Sequence, residues 1–239
     1  MSGGYQPLAT YGALADIPFE EARFRPGIDH AELIHAGRFG AAFVRPAPGF
    51  QSLIYLHDGE RHRVLAFWQD HAAIQRFHRE GRAELIACEQ AELPGSPWLT
   101  HLDEFRGGVA RRQLMGPRMS LEQTDLMAPE PPAIAVIYEA AGVRDIDAVL
   151  ALWQEMAPLR GLARIQQFRG FMFFSACDFG DGNISFYLGF RTPEDHAGFR
   201  ASATVIALRE RMAELVSAQN GALSSRDGQL LGWTVRQIS

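Results

Sequence analysis

The 239-residue chain has no lysine; all 23 of its basic residues are arginines. That one absence removes a Schiff-base lysine, a Walker-type phosphate-binding lysine and a lysine general base. Arginine remains, suited to clamping carboxylates and other anions. Cysteine is nearly absent too, with only Cys88 and Cys177, far apart and in no CxxC pair. This excludes a disulfide framework and a zinc ribbon, and fits a reducing compartment. No basic stripe accompanies the net charge of −5, so no nucleic-acid partner is expected. No apolar run reaches the roughly 18 residues that span a bilayer. The first residues, MSGGYQPLATYGALADIPFEE, carry neither a positive start nor a sustained apolar stretch. No signal peptide and no membrane partner are therefore expected, and a cytoplasmic location follows as an expectation.

Catalytic signatures are also missing. There is no G-x-S-x-G, no P-loop, no HExxH and no GxGxxG after a strand. No HxH or HxxxH pair points to a metal, and His71 and His78 lie two helical turns apart. No metal and no cofactor is expected. Cys177 sits in a strand-like stretch without a neighbouring histidine, which leaves a thiol nucleophile unsupported. Gly107-Gly108 reads as a β-bulge and not as a phosphate loop.

What the chain does have is one pattern written twice. PGFQSLIYLHDGERHRVLAFWQDHA (48–72) and RGFMFFSACDFGDGNISFYLGFRTPEDHA (169–197) share a plan. Each begins Gly-Phe, runs apolar, turns at Asp-Gly, runs apolar again and ends Asp-His-Ala. Asp-Gly between two β-rich runs is a hairpin signal. In the first copy FEEARFR (19–25) reads as a strand. A helix comes next, with His30, Leu33, Ile34, Gly37, Ala41 and Val44 on one face. The hairpin strands are 50–57 and 62–68, and a second helix spans 70–89 with Ile74, Phe77, His78, Gly81, Leu85 and Cys88 aligned. DEFRGGVARRQ (103–113) closes the copy. The second copy repeats the order with AIAVIYEA (133–140), a helix over 145–156, and strands over 170–179 and 183–190. A helix then opens at Thr192-Pro193, with Val205, Leu208, Met212 and Leu215 inward, and LLGWTVRQI (230–238) ends the copy.

Each half thus reads β-α-β-β-α-β, the ferredoxin-like motif. FMFFSACDF and ISFYLGF barely alternate, so both faces of these strands need cover. The expected fold is α+β: two ferredoxin-like halves packed sheet to sheet into an intrachain α/β barrel. The corresponding division is 1–115 for the first half with an N-terminal extension, 116–132 for a proline-rich linker, and 133–239 for the second half.

With Pro48-Gly49-Phe50 opening a strand, and Phe67-Trp68-Gln69-Asp70-His71-Ala72 joining hairpin to helix, the chain resembles the dimeric α/β-barrel superfamily. It resembles in particular that superfamily's antibiotic-biosynthesis-monooxygenase-like group, here as a tandem fused pair. The second copy matches more loosely, with Arg191 after Phe190 and no tryptophan. The resemblance implies a pocket between helices and sheet, and a cofactor-independent monooxygenase- or cyclase-type enzyme. Its substrate would be an apolar aromatic or polyketide-like small molecule. The other reading it allows is a non-catalytic small-molecule or haem-binding, stress-associated protein. Haem degradation in that superfamily needs an Asn on the first strand and a Trp on the second helix; neither half has them.

Seven of the eight histidines lie in the first half, which favours that half for chemistry. His78, on an apolar helical stripe, is the candidate base, imidazole being the side chain type suited to proton transfer at physiological pH. The competing reading is a core histidine with both nitrogens satisfied. Tyr55 and His30 are candidates for positioning a substrate oxygen, although His30 also suits capping. Trp68, Phe50, Phe77 and Trp98 are candidate walls for a flat substrate, and Arg38 a candidate anchor for an acidic group. Core packing and solvation are the plainer roles for these residues. His57 and His62, beside the hairpin turn, are expected in solvent. Self-association through exposed barrel surfaces is left open.

Overall fold

In the computed structural model, residues 16–29, 31, 37, 40–92, 101–115, 133–155 and 168–235 are described. The candidate residues His30, Arg38 and Trp98 lie outside this set. The first half contains β1 (Ile17–Phe24), a helical stretch at 40–44, β2 (Phe50–His57) and β3 (His62–Trp68). It continues with α1 (His71–Arg76), a π-helical turn (Phe77–Gly81), α2 (Arg82–Glu92) and β4 (Leu102–Met115). The second half contains β5 (Ala133–Ala141), α3 (Ile146–Glu155), β6 (Phe171–Asp178) and β7 (Ile184–Phe190). It ends with α4 (Pro193–Ala201), α5 (Ala203–Ala218) and β8 (Ala222–Val235).

The eight strands close one antiparallel barrel in the order β1-β3-β2-β8-β5-β7-β6-β4. Each half supplies four neighbouring strands in ferredoxin order. The seams are β2 with β8 and β4 with β6. Both seams are made by a long strand that belongs to two sheets at once. β4 pairs with β1 through residues 102–110 and with β6 through 109–115. β8 does the same, pairing with β5 through 222–230 and with β2 through 229–235. The sequence pattern captures only the last part of β8, because ALSSRDGQ is polar and lacks strand periodicity.

One glycine stands at each changeover. A Cβ on Gly108 would collide with the carbonyl oxygen of Asp178, and one on Gly228 with the carbonyl oxygen of His57. Gly107-Gly108 is therefore not a bulge. The pair keeps register with Glu20 and Phe19, and the β4–β6 irregularity falls later, between Ala110 and Arg112. Glycine at 108 and at 228 lets one backbone pass close under another.

Strand alternation then sorts side chains to two sides. Phe19, Ile54, Leu65, Ile137, Phe173 and Trp233 pack in the lumen. Tyr55, Val64, Trp68, Ala22 and Phe24 form a separate core beneath the first half's helices. A larger core lies under the second half's helices, where Trp153 stacks on Phe186 at 5.0 Å and leans on Phe174 at 5.1 Å. On α5, Val216 is the deeply buried residue where the periodicity places Leu215, which is only half-buried.

The lumen also holds an ionic cluster. Arg63 is 1% exposed and donates to Asp58 (2.7 Å from Nε), Glu21 (3.3 Å) and Glu139 (2.8 Å). Glu21 further accepts from Arg23 (2.9 Å), Arg106 (3.1 Å) and the Tyr187 hydroxyl (2.7 Å). Burial raises the Tyr187 phenol well above its ordinary range and keeps it a neutral donor. Every charge buried here meets an opposite one, as burial in low dielectric requires. Arginine's planar fork serves three acceptors at once, which a lysine ammonium could not do with the same geometry.

Candidate functional site

The helix after β3 starts where Asp70 caps it, accepting a hydrogen bond from the Ala73 amide at 2.8 Å. It does not run on as one regular α-helix over 70–89. At Phe77–Gly81 it widens into a π turn, a local rearrangement that often accompanies function. The extra residue rotates the remainder of the helix. Glu89 becomes the buried residue, and Cys88, which a constant 3.6-residue period places inward, is only half-buried.

His78 lies within the π turn, on the side facing β1. Its Nε2 is 2.5 Å from Oε1 of Glu20. Glu20 projects from β1 on the helix-facing side, next to Ala22, while its neighbour Glu21 points into the lumen. Arg82 completes the group, with Nη1 3.4 Å from His78 Nδ1 and its guanidinium carbon 5.6 Å from the centre of the Phe105 ring. Burial raises the Glu20 carboxyl above the usual carboxylate range; the His78 contact and the Arg82 charge pull it back only in part. A carboxylate lifted in this way can hold or accept a proton closer to neutrality.

These groups border a cavity of about 100 Å³ that a second buried carboxylate, Glu89, also lines; the rest of its wall is apolar, including Leu53, Val64, Trp68, Phe77, Leu85 and Phe105. Trp68 meets Phe77 at 5.1 Å between ring centres. Its indole nitrogen has no hydrogen-bond partner of good geometry among the described residues, although it lies near enough to Glu20 to favour the charged carboxylate slightly. Among the described residues, no group of three His, Cys, Asp or Glu side chains is placed to hold a metal ion. No described helix is long and apolar enough to cross a membrane.

The sequence candidates separate accordingly. His78, Trp68 and Phe77 come together around the cavity. Phe50 is fully buried and backs Trp68 edge-on at 5.7 Å, one layer behind the wall. Tyr55 is buried in the same apolar cluster as Trp68, Val64 and Phe77 but does not line the cavity. Its hydroxyl finds no described partner, and burial holds its phenol well above the ordinary range. His62 is not in solvent: it is 2% exposed and stacks on Tyr55 at 5.9 Å, with His57 at 4.6 Å. Glu20, Arg82 and Phe105 escape a reading of the sequence. Glu20 and Glu21 are adjacent, and only the strand phase decides which carboxylate meets the helix.

Among the described residues, the second half has no such site in the equivalent place. Trp68 and Phe190 each stand two residues before a helix cap, Asp70 and Thr192. Phe77 and Phe199 each stand seven residues after it. Phe77 touches Trp68 as Phe199 touches Phe190, the latter at 4.8 Å. By the same register His78 corresponds to Arg200, which turns outward to Asp227 at 2.8 Å.

The architecture is one closed eight-stranded barrel built from two ferredoxin-like halves on a single chain. No protein-family model matches the sequence, and no curated protein matches it either. Solved structures do match in fold. A candidate monooxygenase from Fusobacterium nucleatum superimposes with a TM-score of 0.66 at 9% identity, covering 92% of this chain and 95% of the other. A second candidate monooxygenase, from Lactobacillus acidophilus, gives a TM-score of 0.63 at 8% identity over 92% and 97% of the two chains. An anthrone oxidase-like protein gives 0.58 at 13% identity over 94% and 95%. Identities this low establish a common fold and leave activity to be argued from the site.

Proposed function

We propose that this protein is a cofactor-independent monooxygenase acting on a compact hydroxylated aromatic molecule, with the Glu20–His78 pair as proton acceptor. One observation carries the reading: a short carboxylate–imidazole contact at the wall of a largely apolar cavity. A burial-raised carboxylate beside an imidazole is a proton acceptor matched to a phenol. The aromatic wall of Trp68, Phe77 and Phe105 suits a flat ring. The Arg82 guanidinium supplies positive charge beside the phenolate as it forms.

The chemistry needs only substrate and O2. Glu20–His78 takes the phenolic proton, and the phenolate passes one electron to O2. The phenoxyl radical and superoxide combine at a ring carbon to give a hydroperoxide. Loss of water then leaves a quinone: one oxygen atom enters the product, the other leaves as water, and an O–H and a C–H bond are broken. The protein contributes orientation and a largely apolar pocket. The fold shared with two candidate monooxygenases and an anthrone oxidase-like protein is consistent with this reading.

The test is oxygen uptake by metal-free protein with a hydroquinone, together with ¹⁸O₂ labelling. One labelled atom in the product and no hydrogen peroxide is the expected result. His78→Gln and Glu20→Gln should each lower the rate about 10²- to 10⁴-fold, the usual contribution of a positioned acid–base group. No uptake with any hydroxylated aromatic of one to three rings would overturn the proposal.

A further inference from the structure

Phe77 borders two spaces. On its inner side lies the cavity of about 100 Å³ that holds Glu20 and His78. On its outer side lies a groove of about 430 Å³ between residues 42–48 and the helix, bordered by Phe43, Pro46, Pro48, Arg76, Glu80 and Glu84. The Phe77 ring is thus shared wall, and only half-buried. It rests against Gly81, where a Cβ would stand 2.8 Å from the ring. No side chain at 81 competes for that seat. The backbone under it is the π turn, a single widened turn whose hydrogen bonding differs from the helices on either side.

The sizes decide what each space can take. A closed apolar cavity of roughly 150 Å³ accepts one benzene ring. The inner cavity is smaller and opens to solvent at Phe105, which is 45% exposed; on the helix side, where Phe77 stands, it admits a single ring with slight adjustment and no fused second or third ring. The outer groove is several times larger, yet it has no contact with the Glu20–His78 pair.

We infer that Phe77 sets the substrate size limit: in place, it restricts the site to monocyclic rings, and its removal joins cavity and groove into one site for fused polycyclic ones. This rests on the cavity proposed above as the active site, and deepens that reading by naming the substrate class. Phe199, its counterpart in the second half, is instead 1% exposed and packs with Phe168 and Phe190.

Equilibrium binding of phenol, 1-naphthol and 1-anthrol, measured anaerobically by calorimetry on the full chain, tests the inference without requiring turnover. Wild type should prefer phenol to 1-anthrol at least tenfold. Phe77→Ala should bind 1-anthrol at least tenfold more tightly than wild type and phenol more weakly. Phe77→Leu, which retains more packing, should move in the same direction by less and guards against a misfolded alanine variant. An unchanged order of affinities in both variants overturns the inference, as does failure of all three proteins to bind any probe. A wild type that binds phenol but consumes no oxygen with any hydroxylated aromatic of one to three rings refutes the oxygenase reading and leaves the size filter standing.

Discussion

Glu20 and Val136 occupy the same place in the two halves of the barrel. Glu20 pairs with Ala66 across β3, and Val136 with Leu188 across β7. Ala66 and Leu188 each lie two residues before the matching aromatic, Trp68 or Phe190. One half therefore carries a buried carboxylate where the other carries a buried aliphatic side chain, on an equivalent strand under an equivalent helix.

This contrast yields a stability prediction opposite in sign to its functional one. Burial disfavours the charged form of Glu20, so Glu20→Val, which copies the second half, should leave the melting temperature at pH 7 unchanged or higher. It should also abolish the proton-acceptor chemistry. A melting temperature several degrees lower would mean that the carboxylate is held for structure instead.

The lumen cluster behaves differently. Arg63→Met removes the cation shared by Asp58, Glu21 and Glu139 and strands buried anions. The expected loss is about 3–5 kcal/mol in urea unfolding at pH 7. Pairing it with Glu21→Gln should cost less than the sum of the single changes, because the two share one network. Strict additivity would contradict the coupling.

His196 gives the fold a pH dependence in the mildly acidic range. Burial lowers its pKa below the ordinary imidazole value, against the opposing pull of Asp227. The unfolded chain then binds this proton more readily than the native one, so stability is intact above the ordinary value and falls as pH drops below it. Urea midpoints should decrease from pH 7.5 to pH 5.5 in wild type and decrease less in His196→Leu. Equal decreases would assign the titration elsewhere.

The two strand changeovers should be intolerant of any side chain. Gly108→Ala and Gly228→Ala each force a methyl group against a backbone carbonyl. Each should cost about 1–3 kcal/mol, the usual range for overpacking. Gly27→Ala is the control for space, since nothing lies within 4 Å of its added Cβ. Its positive φ adds backbone strain of its own, so a Gly108→Ala loss no larger than the Gly27→Ala loss would remove the steric explanation.

Much of the architecture is legible in the chain because the hairpins announce themselves. The predicted strands 50–57 and 62–68 coincide with β2 and β3, since Asp58-Gly59 fixes the turn and β-branched and aromatic residues flank it. The double use of β4 and β8 is not legible. A strand in two sheets has the same local propensities as a strand in one, and the polar start of β8 hides it further. The site is half legible. His78 declares itself by standing on an apolar stripe, whereas its partner is one of two adjacent glutamates that composition cannot tell apart.

The order of local preferences along the chain determined the duplicated β-α-β-β-α-β unit, the hairpins and the aromatic walls, because turns, caps and hydrophobic periods act over a few residues. Barrel closure decided the rest. It paired strands more than a hundred residues apart, sent Glu21 into the lumen and Glu20 beneath the helix, and brought that carboxylate to His78. Burial and proton affinity depend on such long-range neighbours, and those are set only when the two halves share their edges.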